Sequence, residues 1–139
     1  MKPIELARPG ESLSATLLLG TSDPEIEATF RTSLSSLEFR MDLVGRGGQL
    51  VRLLLSTHYD LVALDLALPG LPGVALFEVV RRIAPDTLLV VMVPEESLEL
   101  ETWVREGGAF YFLVKPVEGQ EVALVLRDAL SFLCREKQA

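Results

Sequence analysis

Two charged residues stand where apolar runs end. Asp65 closes the run that begins at Tyr59, and Lys115 closes the run from Ala109, directly before Pro116. An ionised carboxylate at the end of an apolar strand must be wet or paired. The chain has three lysines, and Lys2 and Lys137 lie near its ends, so Lys115 is the one lysine in its body. The economical reading is an Asp65–Lys115 ion pair, a carboxylate held and neutralised by an ammonium. The alternative is that each caps its strand in solvent. His58 has no second histidine to share a metal with, so a loop or helix-end role is expected. The single cysteine, Cys134, forms no internal disulfide, and its apolar context suggests a buried or helix-surface thiol rather than a reactive one.

The elements that must position these groups follow from periodicity. Residues 1–13 read as a flexible polar tail and 15–20 (ATLLLG) as a buried strand. Ser22-Asp23-Pro24-Glu25 is a helix start, and Ile26, Phe30, Leu34 and Leu37 continue it at helical spacing. A near-edge strand follows at 39–44, then a helix opened by Gly47-Gly48 with Leu50, Leu53 and Leu54. The third strand is 59–65 and the turn-rich loop LALPGLPG is 66–73. A third helix is expected over 74–83, a fourth strand over 88–93 and an acidic fourth helix over 95–106. Gly107-Gly108 ends that helix; a fifth strand takes 109–114 and a last helix runs from 118 to about 135. The order β-α, five times over, predicts a doubly wound α/β domain over 14–135, a parallel sheet with helices on both faces, and a tail or linker at 136–139. In such folds the site lies beyond the carboxyl ends of the strands, which points to Thr21, Ser22, Asp65, Val93 and Lys115.

On these residues the chain resembles the response-regulator receiver domain, the CheY-like module of two-component signalling. The resemblance covers about residues 14–133 and rests on LLLGTSDPEI (17–26), YDLVALDLALPGLPG (59–73) and GAFYFLVKPV (108–117). The spacings agree: 43 residues from Ser22 to Asp65, 28 to Val93 and 22 more to Lys115. The resemblance implies a flavodoxin-like sheet of order 2-1-3-4-5. It places Asp65 on the phosphoacceptor position, a carboxylate nucleophile toward phosphorus. Lys115 falls on the position that pairs with the acceptor. Ala67 falls where a backbone carbonyl would ligate Mg²⁺, Phe112 on the switch aromatic, and Pro116 after the family's cis peptide bond.

The chain departs from the family pattern in three respects. Receivers carry two acids at the end of the first strand to hold Mg²⁺; here Thr21 and Ser22 stand there. Mg²⁺ wants charged oxygen ligands, and Asp65 alone should hold it weakly. Asp23 could substitute, but its place before Pro-Glu favours a helix cap. Val93 replaces the Thr or Ser whose hydroxyl bonds the phosphoryl group, and Pro94 stiffens the loop after it. Phe112 departs only mildly, since the switch position is commonly Tyr or Phe. No cofactor is therefore expected, and Lys115 would neutralise Asp65 permanently. The expectation is an atypical, non-enzymatic pseudo-receiver acting through protein–protein contacts. The alternative is a conventional receiver, phosphorylated on Asp65 by a histidine kinase with Mg²⁺ bound through Asp65, the Ala67 backbone and Asp23. A phosphatase would want a second acid at Ala67, and a flavin site would need a less acidic first loop.

Composition bounds the partners. The 139 residues carry 13 Lys plus Arg against 20 Asp plus Glu, net −7, the reverse of a nucleic-acid-binding surface. No apolar run is long enough to cross a bilayer, and the start lacks a secretory core, so a cytoplasmic protein is expected. Partners should meet the fourth helix, fifth strand and last helix, the family's usual output surface. Glu95, Glu96, Glu99, Glu101 and Glu106 make the fourth helix either a solvated acidic face or a dock for a basic partner. Trp103 reads as core or lining. Leu124, Leu130, Phe132 and Cys134 leave the last helix apolar beyond its core stripe of Val122, Leu126, Ala129 and Leu133, which suggests a cover such as an adjoining domain or a homodimer.

Overall fold

The structure, a computed structural model, describes residues 15–35 and 37–138. Its elements are β1 (Ala15–Gly20), α1 (Pro24–Leu34), β2 (Phe39–Val44), α2 (Gly47–Ser56), β3 (Leu61–Asp65), α3 (Gly73–Ile83), β4 (Leu88–Val93), α4 (Leu98–Glu106), β5 (Tyr111–Val114) and α5 (Gly119–Gln138). The five strands form one parallel sheet in the order β2-β1-β3-β4-β5. This is the doubly wound α/β fold that the alternation of apolar strands and amphipathic helices predicts. The expected N-terminal tail, 1–13, lies outside the described residues.

Strand side chains alternate between two apolar layers. Leu18, Val62, Leu64, Val91 and Val93 pack with Leu50, Leu76, Phe77, Val80 and Val104 of α2, α3 and α4. Leu17, Leu19, Leu61, Ala63, Val90 and Met92 pack with Ile26 and Phe30 of α1 and Val122, Leu126 and Ala129 of α5. Trp103 is half-buried against the first layer, its ring centroid 4.9 Å from that of Phe77. Each fully buried leucine contributes about 2 kcal/mol through removal from water. Both faces are covered, so the central strands read as unbroken apolar runs and only their ends tolerate charge.

Several boundaries shift from the expected ones, each for a local reason. The fourth helix begins at Leu98, not 95, because Ser97 caps it by accepting a hydrogen bond from the Leu100 N–H. Glu95 and Glu96 therefore sit in the preceding loop, and α4 itself carries Glu99, Glu101 and Glu106. α1 stops at Leu34, where the Ser35 N–H and hydroxyl both turn back to the Thr32 carbonyl, and Leu37 lies beyond it. β3 begins at Leu61, since Asp60 is engaged with Thr16 ahead of the ladder. β5 begins at Tyr111, after a turn at Gly108 with φ +91°. α5 continues through residues 136–138, past its expected end near 135.

Tyr59 anchors the near edge of the sheet. It is buried, and its hydroxyl donates to Asp42 Oδ2 at 2.6 Å. Burial, then the hydrogen bond to Asp42, pushes its pKa up to about 12. The neutral phenol is the form the fold favours. Its contribution is complete below the ordinary value near 10 and is lost as pH climbs from there to about 12. We predict that stability falls across that window and that Tyr59→Phe flattens the fall. Denaturant titrations at several alkaline pH values measure it. Tyr111, whose pKa is also raised, chiefly by its hydrogen bond to Asp128, supplies a second, smaller share. An unchanged slope in Tyr59→Phe would show the phenol ionising as freely folded as unfolded.

Candidate functional site

The carboxyl ends of β1, β3, β4 and β5 converge on Asp65. Parallel register places Gly20 beside Leu64 and Asp65 beside Met92. Thr21 and Asp65, the next residues along β1 and β3, thereby meet 44 positions apart in sequence. At the neighbouring strand ends, Val93 pairs with Val114, and the Lys115 N–H donates to the Val93 carbonyl at 2.8 Å. Lys115 is thus aimed across the end of β4 toward β3. The Lys115–Pro116 peptide bond is cis.

Asp65 is only 2% exposed, and three donors surround its carboxylate. Lys115 Nζ lies 2.9 Å from Oδ1 and 3.0 Å from Oδ2. The Ala67 N–H donates to Oδ1 at 2.9 Å. The Thr21 hydroxyl donates to Oδ2 at 2.7 Å. Thr21 is itself 3% exposed and accepts the Asp23 N–H at 3.1 Å, which fixes its rotamer. Both carboxylate oxygens are therefore committed to protein donors. Such saturation is what makes a buried charge tolerable. Lys115 keeps 18% of its side chain exposed, so its ammonium is still partly hydrated.

The other residues singled out from sequence fall around this centre. Ser22 is exposed next to Thr21. Asp23 Oδ1 accepts the Glu25 N–H at 2.9 Å as the N-cap of α1, which turns it to the helix rather than to Asp65. Val93 is fully buried and offers no hydroxyl. Phe112 is half-buried against the layer under α2, α3 and α4. The loop after Asp65 packs closely: a Cβ on Gly73 would collide with the Leu66 carbonyl oxygen, so the N-terminus of α3 sits hard against this loop.

Mg²⁺ is the ion the receiver fold implies, and the donor set does not suit it. Among the described residues Asp65 is the one carboxylate at the centre, and the two positions just after β1 hold a hydroxyl already donating to it and an exposed serine. Among the described residues no three of His, Cys, Asp and Glu gather as a metal would need. Hard divalent ions require several charged or carbonyl oxygens in a near-octahedral set. The Thr21 hydrogen bond to Asp65 is the feature that sequence reasoning missed. Thr21 reads there only as an absent acid, and its donation becomes visible once the ends of β1 and β3 are seen to be level.

Comparison with known proteins agrees with the fold. The profile of the response regulator receiver domain matches residues 21–127. The chain is 32% identical over 117 residues to the transcriptional regulatory protein AfsQ1 of Streptomyces coelicolor, covering 83% of this chain and 51% of that protein. It is 28% identical over 105 residues to the regulatory protein LuxO of Vibrio cholerae, covering 76% of this chain and 23% of LuxO. The chain thus spans between about a quarter and a half of these curated relatives. A CheY-like receiver domain structure from Methanospirillum hungatei superposes with a TM-score of 0.78 at 19% identity, covering 88% of this chain and 98% of that one. The chain belongs to the response regulator receiver domain family, the CheY-like module of two-component signal transduction.

Proposed function

We propose that this domain transmits its signal by protein–protein contact and that its acceptor pocket is impaired in Mg²⁺-dependent phosphotransfer. The observation that carries this reading is the occupancy of Asp65: Thr21, Ala67 and Lys115 together use both of its oxygens. A nucleophilic carboxylate needs a free lone pair and a cation that neutralises the incoming phosphoryl oxygens. Here the Thr21 hydroxyl is spent on the carboxylate, Thr21 and Ser22 stand where acids would hold a metal, and Val93 has no hydroxyl for a phosphoryl oxygen. The pocket is then a fixed structural element rather than a reaction centre, and the domain is not an enzyme.

The output surface in this reading is α4, β5 and α5. Leu98 is 80% exposed and Leu124 is 52% exposed, large apolar side chains that a partner or a second copy would cover. AfsQ1 and LuxO are regulatory proteins longer than this chain, which supports an output domain as the partner, joined or separate. Among the described residues no helix is long and apolar enough to cross a membrane.

The conventional alternative, a receiver phosphorylated on Asp65 by a histidine kinase, draws on one observation: the Asp65–Lys115 pair is intact. Incubation with Mg²⁺ and acetyl phosphate, followed by intact-mass measurement, separates the two. The expected result is an unmodified mass. A stable adduct of one phosphoryl group, absent from Asp65→Asn, establishes the conventional reading instead.

A further inference from the structure

A concavity opens beside the Asp65 site. It is a groove of about 370 Å³ between the end of β2 and α2, walled by Leu43, Val44, Leu53 and the stems of Gln49 and Arg52, and its inner end reaches Thr21. We propose that this groove binds a small anionic amphiphile, an apolar body carrying a carboxylate.

Three observations support it. The size lies in the range of small-molecule sites, and the walls are mainly apolar with few polar groups, the usual make-up of such sites. The polar groups at its rim are unpaired: among the described residues, neither the Gln49 amide nor the Arg52 guanidinium has a hydrogen bond or ion pair. A guanidinium offers a planar fork that matches a carboxylate. The local charge is also opposite to that of the whole chain. Arg52 is the one charged side chain lining the groove among the described residues, with no Asp or Glu in the lining, in a protein of net charge −7. An anion is therefore favoured here over the net-negative remainder of the protein.

The position gives such a ligand a route to Asp65. Thr21 forms the inner end of the groove, and its hydroxyl is one of the three donors that hold the Asp65 carboxylate. A body pressing on Thr21 alters that hydrogen bond without entering the acceptor pocket. Binding in the groove is independent of whether Asp65 accepts a phosphoryl group, so the two readings stand or fall separately.

Octanoate, with neutral octanol as its control, tests the site on ¹⁵N-labelled protein by amide chemical shifts. Octanoate is expected to give saturable shifts at residues 43–45, 49–53 and Thr21, and octanol much smaller ones. Arg52→Glu, a change at an exposed position, should weaken octanoate binding about tenfold or more through loss of a charge-assisted hydrogen bond. The proposal is overturned if octanoate and octanol act alike, if the shifts map elsewhere, or if Arg52→Glu binds as well as the parent. Shifts at these residues that depend on protein concentration without octanoate would overturn it too, by showing that a second copy fills the groove.

Discussion

Lys115→Ala lowers the stability of the domain by about 2–3 kcal/mol, the largest loss expected from any single change in the pocket. The cost comes from Asp65, which is left as a charge 2% exposed among apolar strand ends. Breaking a fully buried ion pair costs roughly 3–5 kcal/mol. Two features bring the figure down here. The Thr21 hydroxyl and the Ala67 N–H still serve the carboxylate, and the lysine gives up a partly hydrated position rather than a dry one. A second substitution isolates the charge. In Asp65→Asn/Lys115→Ala the acid is gone, the neutral amide still accepts the Ala67 N–H, and most of the loss is expected to return. Urea unfolding reads this as a midpoint that falls in the single variant and recovers in the double one at constant slope. A neutral Lys115→Ala would mean that the pair is effectively solvent-separated, and the locked pocket would then be wrong.

The other large effect runs in the opposite direction. The triple variant Thr21→Asp/Ser22→Asp/Val93→Thr should acquire Mg²⁺-dependent phosphorylation on Asp65, at least about a hundredfold faster than the parent. Thr21 Oγ1 now lies 2.7 Å from Asp65 Oδ2 as a donor; a carboxylate in its place is a like charge pressed against Asp65. Lys115 cannot neutralise both, so the pocket is strained until a divalent cation enters among the acids. Ser22, exposed beside it, gives a second acid room to turn toward the ion. Threonine keeps the shape of buried Val93 and adds a hydroxyl for a phosphoryl oxygen. Two measurements check it. The melting temperature of the variant should rise with Mg²⁺ while that of the parent does not, by binding to the native state alone. Intact mass should then show one phosphoryl group after acetyl phosphate, removed by Asp65→Asn. A variant indifferent to Mg²⁺ would show that more than these three positions separates this pocket from an active one.

Both effects concern residues that the sequence reveals unequally. Asp65 and Lys115 are legible because a charge ending an apolar run is conspicuous, and the lysine has no rival in the body of the chain. Their approach requires that β3 and β5 end on the same side of a parallel sheet, which the βα alternation predicts, and that only β4 lies between them, which the family resemblance implies. Asp23 is legible as a cap because Asp-Pro-Glu is a local signal, and the structure gives it that hydrogen bond. Helix ends are less legible. Ser97 competes with Glu95 and Glu96 as a start for α4, and only the direction of its hydroxyl toward the Leu100 N–H decides it.

The sequence by itself determined the class of fold and the order of its ten elements, and it singled out the two charged residues best placed to pair. These rest on local periodicity and on rules of connection that hold for any twisted sheet. Only the tertiary structure decided that Thr21 is a hydrogen-bond donor to Asp65, and that Lys115, Ala67 and Thr21 together contact both of its carboxylate oxygens. The same holds for the groove whose inner end is Thr21. Strand register and side-chain direction settle these matters between residues 44 positions apart, and no run of neighbouring residues encodes either.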